Sequence, residues 1–131
     1  MRLLLDTHIA LWTAIDSPRL PTKVRALVSD AEATLFVSVV SLWEVAIKHA
    51  LRRGRAGDMP LSAAELQRLL TSARCQVLDV LPVHVLALEH LPRLHGDPFD
   101  RMLVAQARAE PLRLITTDGL LAAYGESVEV Y

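Results

Sequence analysis

A chain of 131 residues is the length of one ordinary domain. Its 52% hydrophobic and 22% charged residues suit a packed core and exclude a disordered segment. With 14 basic against 15 acidic residues the net charge is −1, so there is no global basic footprint for nucleic acid. A nucleic-acid partner would need a local basic patch, or bound cations that invert the local charge.

Taken in chain order, Leu3-Leu4-Leu5 is a short apolar run of the kind a buried parallel strand shows. Asp6 and His8 interrupt it, and no small-residue cleavage site follows, so it is not read as a signal peptide. No run of ~18 apolar residues occurs, and a cytosolic location is the expectation. Thr7 is expected to cap a first helix carrying Ile9, Leu11, Trp12 and Ile15, and Pro21 to open a second through Val24, Leu27 and Val28. The β-branched run from Thr34 to Val40 predicts a second strand, and Ser41 the start of a third helix that stops near Gly54.

After a polar turn, Ser62 should cap a fourth helix to about Arg74. Residues 75–81 predict a third strand, and Pro82 a fifth helix ending near Pro92. Asp97-Pro98 opens a sixth helix through Ala109. Arg113 to Thr117 reads as a fourth strand ending at Asp118, and Val128-Glu129-Val130 as a weak last one. The lone Cys75 has no disulfide partner and is expected as a small buried hydrophobe. Strands alternating with helices predict an α/β fold: one domain over 1–131, with a central parallel sheet of four or five strands flanked by helices. Ligands of such sheets bind beyond the carboxyl ends of the strands.

Five carboxylates are candidates for such a site, and the rule bears directly on two of them. Asp6 and Asp118 directly follow strands, and either could serve only as a helix-start acid. Glu44 fits a capping box with Ser41 and an i,i+4 ion pair with Lys48. Asp97 suits a helix cap, whereas Asp100 heads the apolar stripe Leu103, Val104 and Ala107, where an unpaired carboxylate is costly. Acids gathered this closely repel one another unless a cation neutralises them, and oxygen-rich sites suit Mg²⁺ or Mn²⁺. Metal held by several acids is the equipment of phosphodiester hydrolysis through activated water.

Leu4-Leu5-Asp6-Thr7-His8, Ser41-Leu42-Trp43-Glu44, the block from His95-Gly96-Asp97-Pro98-Phe99-Asp100-Arg101 to Ala107, and Thr116-Thr117-Asp118 resemble the successive motifs of PIN domains, and more narrowly of VapC-type toxins of toxin–antitoxin pairs. The similarity spans nearly the whole chain in the right order. It implies that Asp6, Glu44, Asp100 and Asp118 are catalytic, metal-binding acids of a Mg²⁺- or Mn²⁺-dependent endoribonuclease. It further implies an RNA substrate and a cognate antitoxin whose tail covers the site.

Two other functions compete: a PIN-like module that binds without cutting, and a phospho-acceptor signalling domain. The latter usually wants a cation at a late strand end, where this chain has Thr116-Thr117-Asp118 and neither lysine nearby. Arg52, Arg53 and Arg55 form the only basic cluster in the sequence, to be read as a solvated loop or an RNA-backbone contact. Thr7 and Thr116 could orient water or phosphate, or serve only as cap and strand-end partners. His8, His49, His84, His90 and His95 share no ligand spacing, and Trp12 and Trp43 are expected in the core or an interface. The apolar content predicts a homodimer.

Overall fold

The computed structural model describes residues 1–131. Five parallel strands, β1 (Arg2–Leu5), β2 (Thr34–Ser38), β3 (Gln76–Leu78), β4 (Arg113–Thr116) and β5 (Val128–Val130), lie in the order β3-β2-β1-β4-β5. Six α-helices connect them: α1 (Thr7–Ala14), α2 (Thr22–Val28), α3 (Val39–Ala50), α4 (Ala63–Ser72), α5 (Pro82–Ala87) and α6 (Pro98–Ala109). Short 3₁₀ turns occupy Leu88–His90 and Gly119–Tyr124.

Strand periodicity sorts the core into two layers. Leu3 and Leu5 pack with Leu35, Val37 and Ile115 against Ile9 of α1, Val24 of α2, and Leu66 and Leu70 of α4. Leu4 points the other way and packs with Phe36 and Leu114 against Leu103, Val104 and Ala107 of α6. The sheet is therefore covered on both faces, which is why its central strands are continuous apolar runs.

Several expected boundaries shift because a neighbouring cap wins. Asp6, not Thr7, is the N-cap of α1: its Oδ1 accepts the Ile9 N–H at 2.8 Å. Likewise β2 ends at Ser38, whose hydroxyl accepts the Val40 N–H, so Val39 and Val40 are helical although both are β-branched. With the cap at Ser38, Ser41 lies inside α3 and makes no capping box with Glu44. The box does form at Ser62 and Glu65. The apolar 75–81 segment yields only three strand residues, and the fifth helix ends at Ala87 and passes into 3₁₀.

Trp12 is partly buried against the first core layer, but Trp43 is 60% exposed, so it is not a core residue. Cys75 is buried as expected. No helix is long and apolar enough to cross a membrane.

The strand order places a topological switch between β1 and β4. From β1 the chain steps outward to β2 and β3, then returns to β1's other side as β4. The connections leaving β1 and β4 diverge there, opening a crevice at the carboxyl edge.

Candidate metal centre

Asp6 and Asp118 flank that crevice for one local reason: each ends a strand and caps the next helical element. Asp6 spends Oδ1 on α1, and Asp118 Oδ1 accepts the Leu120 N–H of the 3₁₀ turn at 3.0 Å. Asp97 does the same for α6, accepting from Phe99 and Asp100 N–H at 2.8 and 3.2 Å. Capping and site building are thus one arrangement, since the cap fixes one carboxylate oxygen and leaves the other for the crevice.

Thr116 joins the two strand-end acids. Its hydroxyl donates to Asp6 Oδ2 at 2.5 Å and accepts the Asp118 N–H at 3.0 Å. On α3, Glu44 is buried; its Oε1 accepts from the Thr7 hydroxyl at 2.7 Å and its Oε2 from Lys48 Nζ at 2.5 Å. The expected i,i+4 pair therefore exists, but it stands at the crevice rather than on an open helix face. Lys48 lines the crevice with it and with Thr117 and Asp118, which corrects the reading that neither lysine lies near that late strand end.

Asp100 projects from the first turn of α6. A buried chain of hydrogen bonds anchors that helix: Ser38 Oγ donates to Gln106 Oε1 at 2.6 Å, and Gln106 Nε2 donates to the Asp79 carbonyl at 3.2 Å. Beside it, the fully buried His84 accepts the Leu81 N–H at Nδ1 and donates from Nε2 to Glu110 at 2.8 Å.

All four acids singled out in the sequence, Asp6, Glu44, Asp100 and Asp118, line one cavity of about 280 Å³ together with Asp97. Within it, ligand atoms of His95, Asp100 and Asp118 lie within 4.8 Å of one another. Asp6 and Glu44 share the cavity but are not in that tighter group.

His95 is the residue sequence reasoning missed. It shares no spacing with another histidine, and only its position opening the Asp97–Asp100 block marked it. Its Nδ1 accepts the Asp97 N–H at 3.1 Å, which leaves the proton on Nε2 to donate to Asp118 Oδ2 at 2.9 Å. His95 thus holds the Asp118 oxygen that the cap leaves over.

The charge in this cavity is not balanced internally. Burial raises the Asp6 carboxyl above its ordinary value, against the lowering effect of the hydrogen bonds from Thr116 and Ile9. Asp100 is pushed up to about 7, first by desolvation and then by the negative charges of Asp97, Asp6 and Glu44. Five carboxylates face a single lysine ammonium, and the other possible ligand atoms are histidine nitrogens and the hydroxyls of Thr7 and Thr117. Clustered oxygen donors with uncompensated negative charge and no sulfur fit a hard divalent cation.

The expected Arg52-Arg53-Arg55 cluster does not enter this cavity. Its backbone is folded around Asp58, whose Oδ2 accepts the Arg53 and Arg55 N–H groups, and the side chains are solvated.

A doubly covered parallel sheet with an acid-walled crevice at its switch point defines a small α/β domain with a cluster of acidic side chains beyond its strand ends. The chain belongs to the PIN domain family, whose family model matches residues 3–126. Among solved structures, it is similar to VapBC2 from Rickettsia felis bound to a DNA fragment from their promoter. That match has a TM-score of 0.69 and 16% identity, and covers 100% of this chain and 98% of the other. A toxin–antitoxin complex from Klebsiella pneumoniae matches with a TM-score of 0.64 and 17% identity, covering 98% and 96% of the two chains. At these identities the likeness is one of fold. No curated protein matches the sequence.

Proposed function

We propose that residues 1–131 form one metal-dependent endoribonuclease domain, the toxin of a toxin–antitoxin pair. The observation that carries this reading is the convergence of Asp6, Glu44, Asp100 and Asp118 in one cavity of a PIN domain. These four acids would hold Mg²⁺ or Mn²⁺. When bound, the ion supplies an acidified water and neutralises charge on the scissile phosphate.

The chain's own contribution is preorganisation. Caps at Asp6 and Asp118, the Thr116 bridge and His95 fix the strand-end acids, and Thr7 and Lys48 fix Glu44. The toxin–antitoxin setting of both structural neighbours supports a protein antitoxin as partner. We place the protein in the cytoplasm as a homodimer, and the exposed apolar side chains Val39 and Trp43 on α3 support a protein-binding surface.

The decisive experiment incubates purified protein with single-stranded RNA in Mg²⁺ or Mn²⁺ and, separately, in chelator. Cleavage should require the metal, and Asp6→Asn and Glu44→Gln should lower it by more than the roughly 100-fold that loss of a merely supporting residue costs. Cleavage that survives chelation, or both substitutions, would sink the reading. Folded, RNA-binding protein that never cuts would assign the chain to the silent binding modules instead.

A further inference from the structure

We propose that the cavity formed by Arg93, Leu94, His95, Gly96 and Arg101 is a phosphate subsite that holds a backbone phosphodiester of the RNA strand next to the linkage in the acid cavity. This rests on the ribonuclease reading and adds to it where the strand is held. The acid cavity alone repels a polyanion, and the net charge of −1 offers no compensating field. A metal ion held by the acids offsets that repulsion only at the linkage it meets, so attraction for the neighbouring phosphates falls to a local group of cations beside the acids.

The Arg93–Arg101 cavity is such a place. It measures about 370 Å³, and no carboxylate lines it. His95 lines both this cavity and the acid one, so the two adjoin at that side chain. Asp100 and Arg101 are successive residues of α6, turned about 100° apart by the helix, and each faces one of the two cavities. The sequence hides this pairing because Arg93 and Arg101 are separated by the loop that Asp97 ends.

The donors are already in place. Arg101 gives Nη1 hydrogens to the Pro92 carbonyl (3.0 Å) and the Tyr124 hydroxyl (3.3 Å), and an Nη2 hydrogen to the Leu91 carbonyl (3.3 Å). A guanidinium has five N–H donors, so two remain without a protein acceptor, and no acid neutralises its charge.

Tyr124, itself buried, also accepts the Leu94 and His95 N–H groups and donates to the Pro92 carbonyl. The loop is thereby pinned, and a phosphate entering it would meet little ordering cost. Arg93 is exposed and engaged in no side-chain hydrogen bond or ion pair, free to close on the same anion. Planar donor forks of this kind suit phosphate oxygens.

The test is fluorescence anisotropy of a labelled single-stranded RNA on the full chain, with Ca²⁺ replacing Mg²⁺, across a salt series. Arg93→Gln should weaken binding and reduce the log–log salt slope by about 0.7, the value for one lost phosphate contact on a single strand. Arg101→Lys, which keeps the charge but not the fork, should weaken binding with the slope retained. Arg68→Gln, an exposed charge on α4, should change neither.

Wild-type slope and affinity in Arg93→Gln, or an equal loss in Arg68→Gln, would overturn the subsite. Arg93 has no partner in the fold, so its variant remains informative even if Arg101→Lys melts early. Poly-glutamate that occupies the cavity without displacing RNA would assign it to an acidic protein segment and also overturn the proposal. A wild type that cuts RNA while Arg93→Gln binds normally removes the subsite alone. A wild type that neither binds nor cuts RNA removes the parent reading.

Discussion

Replacing Asp100 by asparagine separates a metal site from a set of helix caps. Folded Asp100 keeps its proton up to a pH of about 7, whereas the unfolded chain releases it near 3.8. Between those values folding takes up a proton, so this group's effect on stability becomes more unfavourable as the pH rises through the window. At about 1.36 kcal/mol per pH unit the full cost of ionised Asp100 is roughly 4 kcal/mol. The side chain keeps 20% of its surface in water, and screening in an open cavity cuts the figure to about 2 kcal/mol.

In chelator at pH 8, Asp100→Asn should therefore melt about 6–10 °C above wild type for a domain of this size. Near pH 4 the difference should vanish. Mn²⁺ should reverse the order, because ligand at 100 times its dissociation constant adds about 2.7 kcal/mol to the protein that binds it. Differential scanning fluorimetry of both proteins, with chelator and with Mn²⁺, reads all of this directly. If the Asp100→Asn variant is destabilised equally in both conditions, Asp100 is a first-turn helix acid and the metal assignment fails.

Two side chains away from Asp100 give further expected outcomes. Thr116→Val removes the donor to buried Asp6 and the acceptor for the Asp118 N–H, and should cost about 1–3 kcal/mol in chemical denaturation, with Thr116→Ser close to wild type; equal stability of all three proteins would refute the bridge. Burial pushes the Cys75 thiol up to about 12, so a thiol reagent should label the native protein only as fast as it unfolds, and rapid labelling under native conditions would contradict the packing.

Much of this protein is written in short-range signals. The triplet Leu3-Leu4-Leu5 is apolar at every position because both sheet faces are covered, and ending at Asp6 it has the form of a buried parallel strand. Strand-then-acid at Asp6 and Asp118, and Asp-Pro at 97–98, mark element junctions whose caps are local chemistry, whereas Glu44 and Asp100 cap nothing and were singled out by the motif resemblance and by the apolar stripe that Asp100 heads.

Boundaries were legible only to within a few residues. Ser38 and Ser41 are equally good caps in one dimension, and packing decided between them: Ser38 meets Gln106 and Ser41 meets Thr7 inside the molecule.

What only the tertiary structure decided are the relations between residues far apart in the chain. Thr116 reaches Asp6 across 110 positions, and that contact exists because β4 pairs with β1 on the side opposite β2. Lys48 faces the acids because α3 lies against α1, and His95 meets Asp118 because Tyr124 pins the loop before α6. Arg93 and Arg101 become neighbours for the same reason, while the arginines at 52, 53 and 55 stay in solvent. Local sequence sets which groups cap and which strands are buried, since those depend on a residue and its nearest neighbours. Strand order and loop anchoring set which charges meet, since they depend on how the whole chain covers both faces of one sheet.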